Sequence, residues 1–404
     1  MKLKHTFAAL RYPNYRLWFL GQLISLFGSW MQMTAQSFLV FELTRSPAFL
    51  GYTSFAFGVP SWLFMLYGGV VADRVKRRTL LMIAQSCMML FAFIMASLTF
   101  AGVVQPWHII LIVFCLGTAN AFDAPARQAF VFELVGREDI TNAVALNSTL
   151  FNLSAVIGPA LAGVIYTVLG PAWCFMLNGV SFVAVLTALM LMRLPRQTAP
   201  VRKQSALSSL REGIRYVVGD NIIFPLMCIV SLTSLFGLSL VTLMPAWAVT
   251  VLGGDATTNG LLQSARGTGA VVGALLIAVL GHAAFRGKML TAGSLAFPLF
   301  LFVFALTRWL PLSLVFMVGA GVALVLVMNL ANALLQSLVE DGMRGRVMSI
   351  YTLTHFGLMP LGGLLAGALA EITNEPLTVV INSVICLIAS LLMCIYVPRI
   401  RKLR

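Results

Sequence analysis

Arg266 stands nine residues inside the apolar run 257–284. At helical rise that is about 13 Å deep, near the middle of a hydrocarbon layer about 30 Å thick. A guanidinium stays ionised there and needs an acceptor, either an anionic or carbonyl-rich ligand or the backbone carbonyls of a neighbouring helix. His355 lies similarly deep in the run 345–371 and is the one core side chain that ordinarily titrates near neutral pH. It suits a proton carrier, or a plain structural hydrogen bond. Asp123 and Arg127, four residues apart, bring an acid and a base to the end of the run 106–127 and could serve as a gate.

Two polar stripes accompany these charges. Gln22, Ser25, Ser29, Gln32 and Gln36 are spaced 3, 4, 3 and 4 apart, on one face of a helix. Asn329, Asn332 and Gln336 do the same in a later run. Such groups are costly in lipid unless they face protein or a wet cavity. Stripes in both halves of the chain point to a central substrate passage; amide bonds between packed helices are the alternative. Trp30, Met31, Met33 and Phe38 would add an adaptable apolar wall for a bulky small molecule. The sequence has no Gly-x-x-x-x-Gly-Lys-Ser/Thr loop and no histidine pair with metal-ligand spacing. Binding and proton transfer remain, without catalysis: the expectation is no enzyme, no cofactor and no metal, with an ion gradient or the ligand's own gradient as the energy source.

The elements that position these residues follow from composition. The chain has 404 residues, 60% hydrophobic and 10% charged, with a mean hydropathy of +0.94. A soluble domain carries about 25% charged residues, so lipid must surround most of this polypeptide. The apolar stretches are about 20 residues long and continuous, which predicts helices rather than strands. They fall near 17–41, 46–72, 79–101, 106–127, 142–169 and 171–193, then near 222–252, 257–284, 288–307, 310–338, 345–371 and 376–397. The fold class is therefore an all-α membrane protein of twelve transmembrane helices. Between the two sets of six, 194–221 begins as a linker and turns amphipathic, with Leu207, Leu210, Ile214 and Val217 on one side. That helix lies on the membrane surface or packs under the bundle.

Net charge is +14, and all lysines and arginines except Arg45, Arg266 and Arg308 fall in alternate loops and at the two ends. By the positive-inside rule both termini are cytoplasmic, and a basic face against anionic membrane lipid needs no nucleic-acid partner. The six cysteines lie inside apolar runs without paired spacing and read as reduced packing residues. The first run is too long for a signal-peptide core and should remain as a helix. A faint repeat relates the halves: Gly158-Pro-Ala-Leu-Ala-Gly163 and Gly362-Gly-Leu-Leu-Ala-Gly367 lie 204 residues apart. It predicts two pseudo-symmetric six-helix bundles, 1–193 and 222–404, joined by the cytoplasmic linker 194–221, with a site between them.

The densest charge cluster, Gly69-x-x-x-Asp73-Arg74-x-x-Arg77-Arg78, interrupts two apolar runs as a tight cytoplasmic turn. Gly69 would admit a neighbouring helix and Asp73 would meet the amides of a helix start. This spacing resembles the loop between helices two and three in the major facilitator superfamily, with Lys76 where that family most often has glycine. Gly158, Pro159 and Gly163 resemble the Gly-Pro-x-x-Gly-Gly element of its antiporting exporters, Ala162 replacing the first closing glycine. The partner expected for it is the glycine-rich stretch 267–274. Asn14-Tyr-Arg-Leu-Trp, Gly136-Arg-Glu-Asp-Ile and Gly345-Arg-Val-Met-Ser are similar to the drug and siderophore exporter subgroup. The resemblance implies inner-membrane export of small amphipathic molecules against protons by alternating access, as a monomer. It also implies a charge cluster of Asp73, Arg77 and Asp123 that holds the halves together when the cavity opens outward. The mid-membrane arginine that many antiporters place in the fourth helix is absent. An importer or facilitator of the same fold, and a lipid scramblase or membrane enzyme, are the competing expectations.

Overall fold

The computed structural model describes residues 7–193, 206–280 and 285–403; the side chains of Met65, Leu66, Val70, Ala72, Asp73, 206–210 and Lys402 lie outside that description. In chain order the helices are α1 (Pro13–Thr44), α2 (Pro47–Arg74), α3 (Arg77–Phe100), α4 (Pro106–Leu134), α5 (Ile140–Leu169) and α6 (Pro171–Leu191). After the linker come α7 (Ala206–Gly219), α8 (Ile223–Val251), α9 (Ala256–Leu280), α10 (Arg286–Leu306), α11 (Leu310–Leu338), α12 (Asp341–Ile372) and α13 (Glu375–Tyr396).

Proline sets many of the starts. It occupies the first turn of α1, α2, α4, α6, α11 and α13, where its missing N–H costs nothing. Left-handed residues end others: Arg45 (φ 51°) closes α1, and Gly253 (φ 61°) follows α8. Two helices run further than hydropathy suggested. α4 continues past Arg127 to Leu134, and α12 begins at Asp341, because helix geometry persists after the apolar run has given way to charge. α8 is not uniform: Thr233–Gly237 and Trp247–Val251 are π-helical turns.

Among the described residues, ten helical segments are long and apolar enough to cross a membrane. α1 and α2 are not among them; the glutamine and serine stripe dilutes the hydropathy of α1, and several side chains of α2 are undescribed. α1 packs on α5 and α6, α3 on α4 and α6, and α2 on α4. In the later half α11 packs on α9 and α10, and α10 on α13. One apolar core lies wholly between Val217 and Ile400, and another between Ala9 and Met192. Two seams join the halves, α2 against α12 and α5 against α9. α7 packs beneath α12: Gly213 faces Ile350 and Arg346, and Arg346 pairs with Glu212 at 3.2 Å.

Candidate functional site

The turn between α2 and α3 is tied to the helix ends around it, on the face that carries most of the basic residues. Arg77 pairs with Glu133 in the last turn of α4. Arg78 donates to the carbonyls of Met190 and Met192 at 2.8 and 3.1 Å, closing the end of α6. Asp123 is fully buried; its Oδ1 accepts from Gln85 Nε2 at 2.8 Å, and its Oδ2 lies 3.0 Å from Arg127 Nη2. Arg74 is exposed, and the Asp73 side chain lies outside the described residues. Nearby, Tyr12 and then Asp139 hold the Arg11 guanidinium above its ordinary pKa.

In this structure Arg77 pairs with Glu133, which the longer α4 brings level with the turn, while Asp123 stays deeper with Gln85. The close helix approach belongs to Gly68, whose added Cβ would sit 2.4 Å from the Ala121 carbonyl oxygen; Gly69 has nothing within 4 Å.

The stripe on α1 does not line an open passage. Gln22, Ser25, Gln32 and Gln36 are 1, 3, 5 and 8% exposed. Gln32 accepts from Asn178 Nδ2 of α6 at 2.7 Å, and Ser29 donates to the Ser25 carbonyl at 2.9 Å. The reason is the pair Gly21 and Gly28, which let α6 lie directly against this face. The α11 stripe differs. Asn329 and Gln336 are exposed and Asn332 is half-buried, with Gln336 Nε2 donating to Asn332 at 2.5 Å. Asn329 lies nine residues before the end of α11, about 13 Å inward by helical rise.

Arg266 is half-buried, and its Nε is enclosed without an acceptor. His355 Nδ1 lies 3.1 Å from Ser234 Oγ, inside the first π-helical turn of α8, with its ring between Tyr351 and Phe356. A π-turn reorients the backbone locally and often marks a working position in a helix.

The seams are built from small residues. An added Cβ on Gly260 would lie 2.4 Å from the Pro159 carbonyl oxygen and 3.2 Å from Gly163. On Gly267 it would lie 2.6 Å from the Ala155 carbonyl oxygen, and on Gly163 it would lie 2.8 Å from Thr257 Cα. The predicted partner helix of Gly158, Pro159 and Gly163 is therefore met. Its contact residues are Gly260 and Gly267, while Gly269 and Gly273 turn to α11, and Gly158 itself receives Trp30 of α1. The repeat element does the same in the second seam, where Gly367 abuts Pro47 and Gly51 of α2.

Hydrogen bonds between the halves, among the described residues, lie at mid-depth or towards the face opposite the basic one. Ser264 donates to the Val156 carbonyl at 2.6 Å, Thr242 to Ser54 at 3.4 Å, and Thr167 meets Thr257 at 3.0 Å. At that outer end, Glu371 in the last turn of α12 accepts from Ser46 Oγ at 2.6 Å and the Ala48 amide at 3.1 Å. A carboxylate thus caps the N-terminus of α2 from the other half of the chain. Hydropathy reading missed Glu371, Glu133 and Gln85. A Ser-Pro helix start and an acid ending an apolar run were visible, but nothing in one sequence pairs positions 325 residues apart.

Long apolar helices joined along two small-residue seams, with the Asn329 amide open at membrane depth, are the build of a multi-pass membrane transporter. The chain belongs to the transmembrane secretion effector family of the major facilitator superfamily, whose family model matches residues 4–403. It is 26% identical over 402 residues to the enterobactin exporter EntS of Citrobacter koseri, covering 97% of this chain and 94% of that one. It is likewise 26% identical over 364 residues to the staphyloferrin A transporter of Staphylococcus aureus, covering 88% and 89%. Among solved structures, the nucleoside transporter NupG (D323A mutant) superposes with a TM-score of 0.75 at 16% identity, covering 95% and 99%. A bacterial homologue of the human lysosomal transporter Spinster, inward-facing and unoccupied, superposes with 0.71 at 14%, covering 96% and 98%. These likenesses show the fold.

Proposed function

We propose that this chain is a secondary active transporter that exports small amphipathic molecules, of the drug or siderophore type, out of the cytoplasm by alternating access and proton antiport. Twelve spanning segments form two six-helix bundles, 1–193 and 222–404, linked through 194–221, in the inner membrane with both termini cytoplasmic; the working unit is a monomer. The observation that carries this reading is the contrast between the two faces. The halves are bonded towards the face opposite the basic one, while polar Asn329 is open on the basic side at a depth where water or ligand would satisfy it. With the basic face inside, this is the inward-open state, ready to load from the cytoplasm. Asp73, Arg77, Arg78, Asp123, Arg127 and Glu133 then form the inner gate that rearranges in the outward-open state. His355, at the π-turn, is the candidate proton carrier.

The reading is supported by the named function of the enterobactin exporter relative. Its test is a deletion strain screened against a compound panel, with siderophore assayed in the spent medium. Export predicts hypersensitivity to at least one compound class or loss of secreted siderophore, restored by the wild-type gene. Unchanged sensitivity and secretion, together with lipid flipping by the purified protein, would replace it with a scramblase.

A further inference from the structure

α7 ends at Gly219 and α8 begins at Ile223, on the face that carries most of the basic residues. Between that corner and the end of α13 lies a cleft of about 500 Å³, walled by residues that include Val218, Asp220, Phe224, Tyr396 and Arg399. That volume is in the range of sites that hold small ligands. The walls are held from behind. Val217 and Ile223, on either side of the corner, are buried in the core of the later half. The turn Pro398–Lys402 is fixed by the start of α10: the Gly287 amide donates to the Leu403 carbonyl at 3.1 Å, and Ile400 is buried.

Two opposite charges line this cleft without meeting. Asp220 Oδ1 accepts from the amides of Ile222 and Ile223, both at 2.7 Å, and so caps the start of α8. Its Oδ2 has no partner among the described residues, and the exposed Arg399 guanidinium has none either. The neighbouring Arg401 is occupied, since its Nη2 donates to the Cys394 carbonyl at 3.4 Å. A carboxylate and a guanidinium that share a cleft but do not pair are complementary to a ligand carrying an ammonium and an oxyanion together.

The apolar walls fix the source of that ligand. Val218, Phe224 and Tyr396 are exposed. Phe224 is the second residue of α8 and Tyr396 the last of α13, so both stand where apolar spans meet the polar face, at the level of lipid headgroups. Acyl chains leaving the cleft would run along these side chains into the hydrocarbon layer. A soluble phosphoester would gain nothing from them.

We infer that this cleft binds the headgroup of an aminophospholipid in the leaflet on the basic face, its phosphate received by Arg399 and its ammonium by Asp220 Oδ2. The chains lie on Phe224 and Tyr396. Phosphatidylethanolamine carries both charged groups, and its ammonium has N–H donors. The trimethylammonium of phosphatidylcholine has none, and phosphatidylglycerol brings no cation and sets a second anion beside Asp220. The ammonium therefore provides selectivity, and the guanidinium–phosphate bond provides affinity common to all three lipids. The site depends on the membrane placement of the chain alone, not on the cargo or direction of transport.

The test is native mass spectrometry of the purified full-length protein in detergent, titrated with the dioleoyl forms of these three lipids. The wild type should bind phosphatidylethanolamine about tenfold or more tightly than either of the others, as one charge-assisted bond predicts. Asp220→Asn keeps an oxygen to cap α8 and should bring phosphatidylethanolamine and phosphatidylcholine to within about twofold of each other. Arg399→Gln should weaken all three lipids by a similar factor. Glycerophosphoethanolamine, the same headgroup without chains, should not displace the bound lipid. Equal binding of the three lipids by the wild type overturns the inference without needing any variant to fold, as does an unchanged preference in Asp220→Asn or unchanged affinities in Arg399→Gln. Displacement by glycerophosphoethanolamine as effective as by the intact lipid would make this a site for a soluble phosphoester and overturn the lipid assignment.

Discussion

Replacing Glu371 by alanine should open the outer seam. The carboxylate holds the start of α2 through Ser46 Oγ at 2.6 Å and the Ala48 amide at 3.1 Å, and it is the one charged group among the hydrogen bonds between the halves of the described structure. A lost helix cap costs about 1 kcal/mol, and a carboxylate at an exposed helix start contributes about 0.3–1 kcal/mol. The two together predict a shift of about 1–2 kcal/mol, or about 5–30-fold in the ratio of closed to open outer seam. Ser54 lies behind the latch, bonded to Thr242, so its accessibility reports the opening. With the six native cysteines replaced and Ser54→Cys introduced, a membrane-impermeant maleimide added from outside should label Glu371→Ala several-fold faster than Glu371. Glu371→Gln, which keeps a neutral acceptor, should fall between them. Equal labelling rates in all three, at equal amounts in the membrane, would show that the latch does not hold the seam.

Three further outcomes follow from particular contacts. Gly68→Ala should lower the unfolding temperature through a backbone clash worth about 1–3 kcal/mol, whereas Gly69→Ala, in open space, should leave folding intact. Arg77→Ala should destabilise the detergent-solubilised protein by about 1–3 kcal/mol, since it strands the buried Glu133 carboxylate, and Glu133→Ala, which removes the same pair, should destabilise it less. The exchange Arg77→Glu with Glu133→Arg should recover part of that loss, and a thermal-unfolding double-mutant cycle measures it. Gln32→Leu and Asn178→Leu should each cost about 1–3 kcal/mol for an unsatisfied amide, while the double variant should be close to wild type. An unaltered efflux spectrum in that double variant would mark the pair as architecture.

Much of the fold was legible because membrane helices are written in hydropathy. The expected runs match the observed helices to within a few residues except where charge prolongs a helix, as in α4 beyond Arg127 and α12 before Gly345. The small-residue element at Gly158–Gly163 pointed to the correct partner helix, since only residues without bulk allow backbone contact. The stripes were less readable. A helical face of glutamines has one appearance whether it borders water or α6, and Gly21 and Gly28, which decide the matter, act only through what they admit. Pairings such as Arg77 with Glu133 and Glu371 with Ser46 depend on helix length and on the approach of distant segments, which local spacing does not contain.

Alternating export powered by protons stands or falls on flux in a closed system. Proteoliposomes containing the purified protein, given the compound that a deletion strain fails to export, should accumulate it when the lumen is more acidic than the medium and release it when the gradient is reversed. Movement of the compound in the same direction as the protons, or at a rate indifferent to the gradient, would contradict the account.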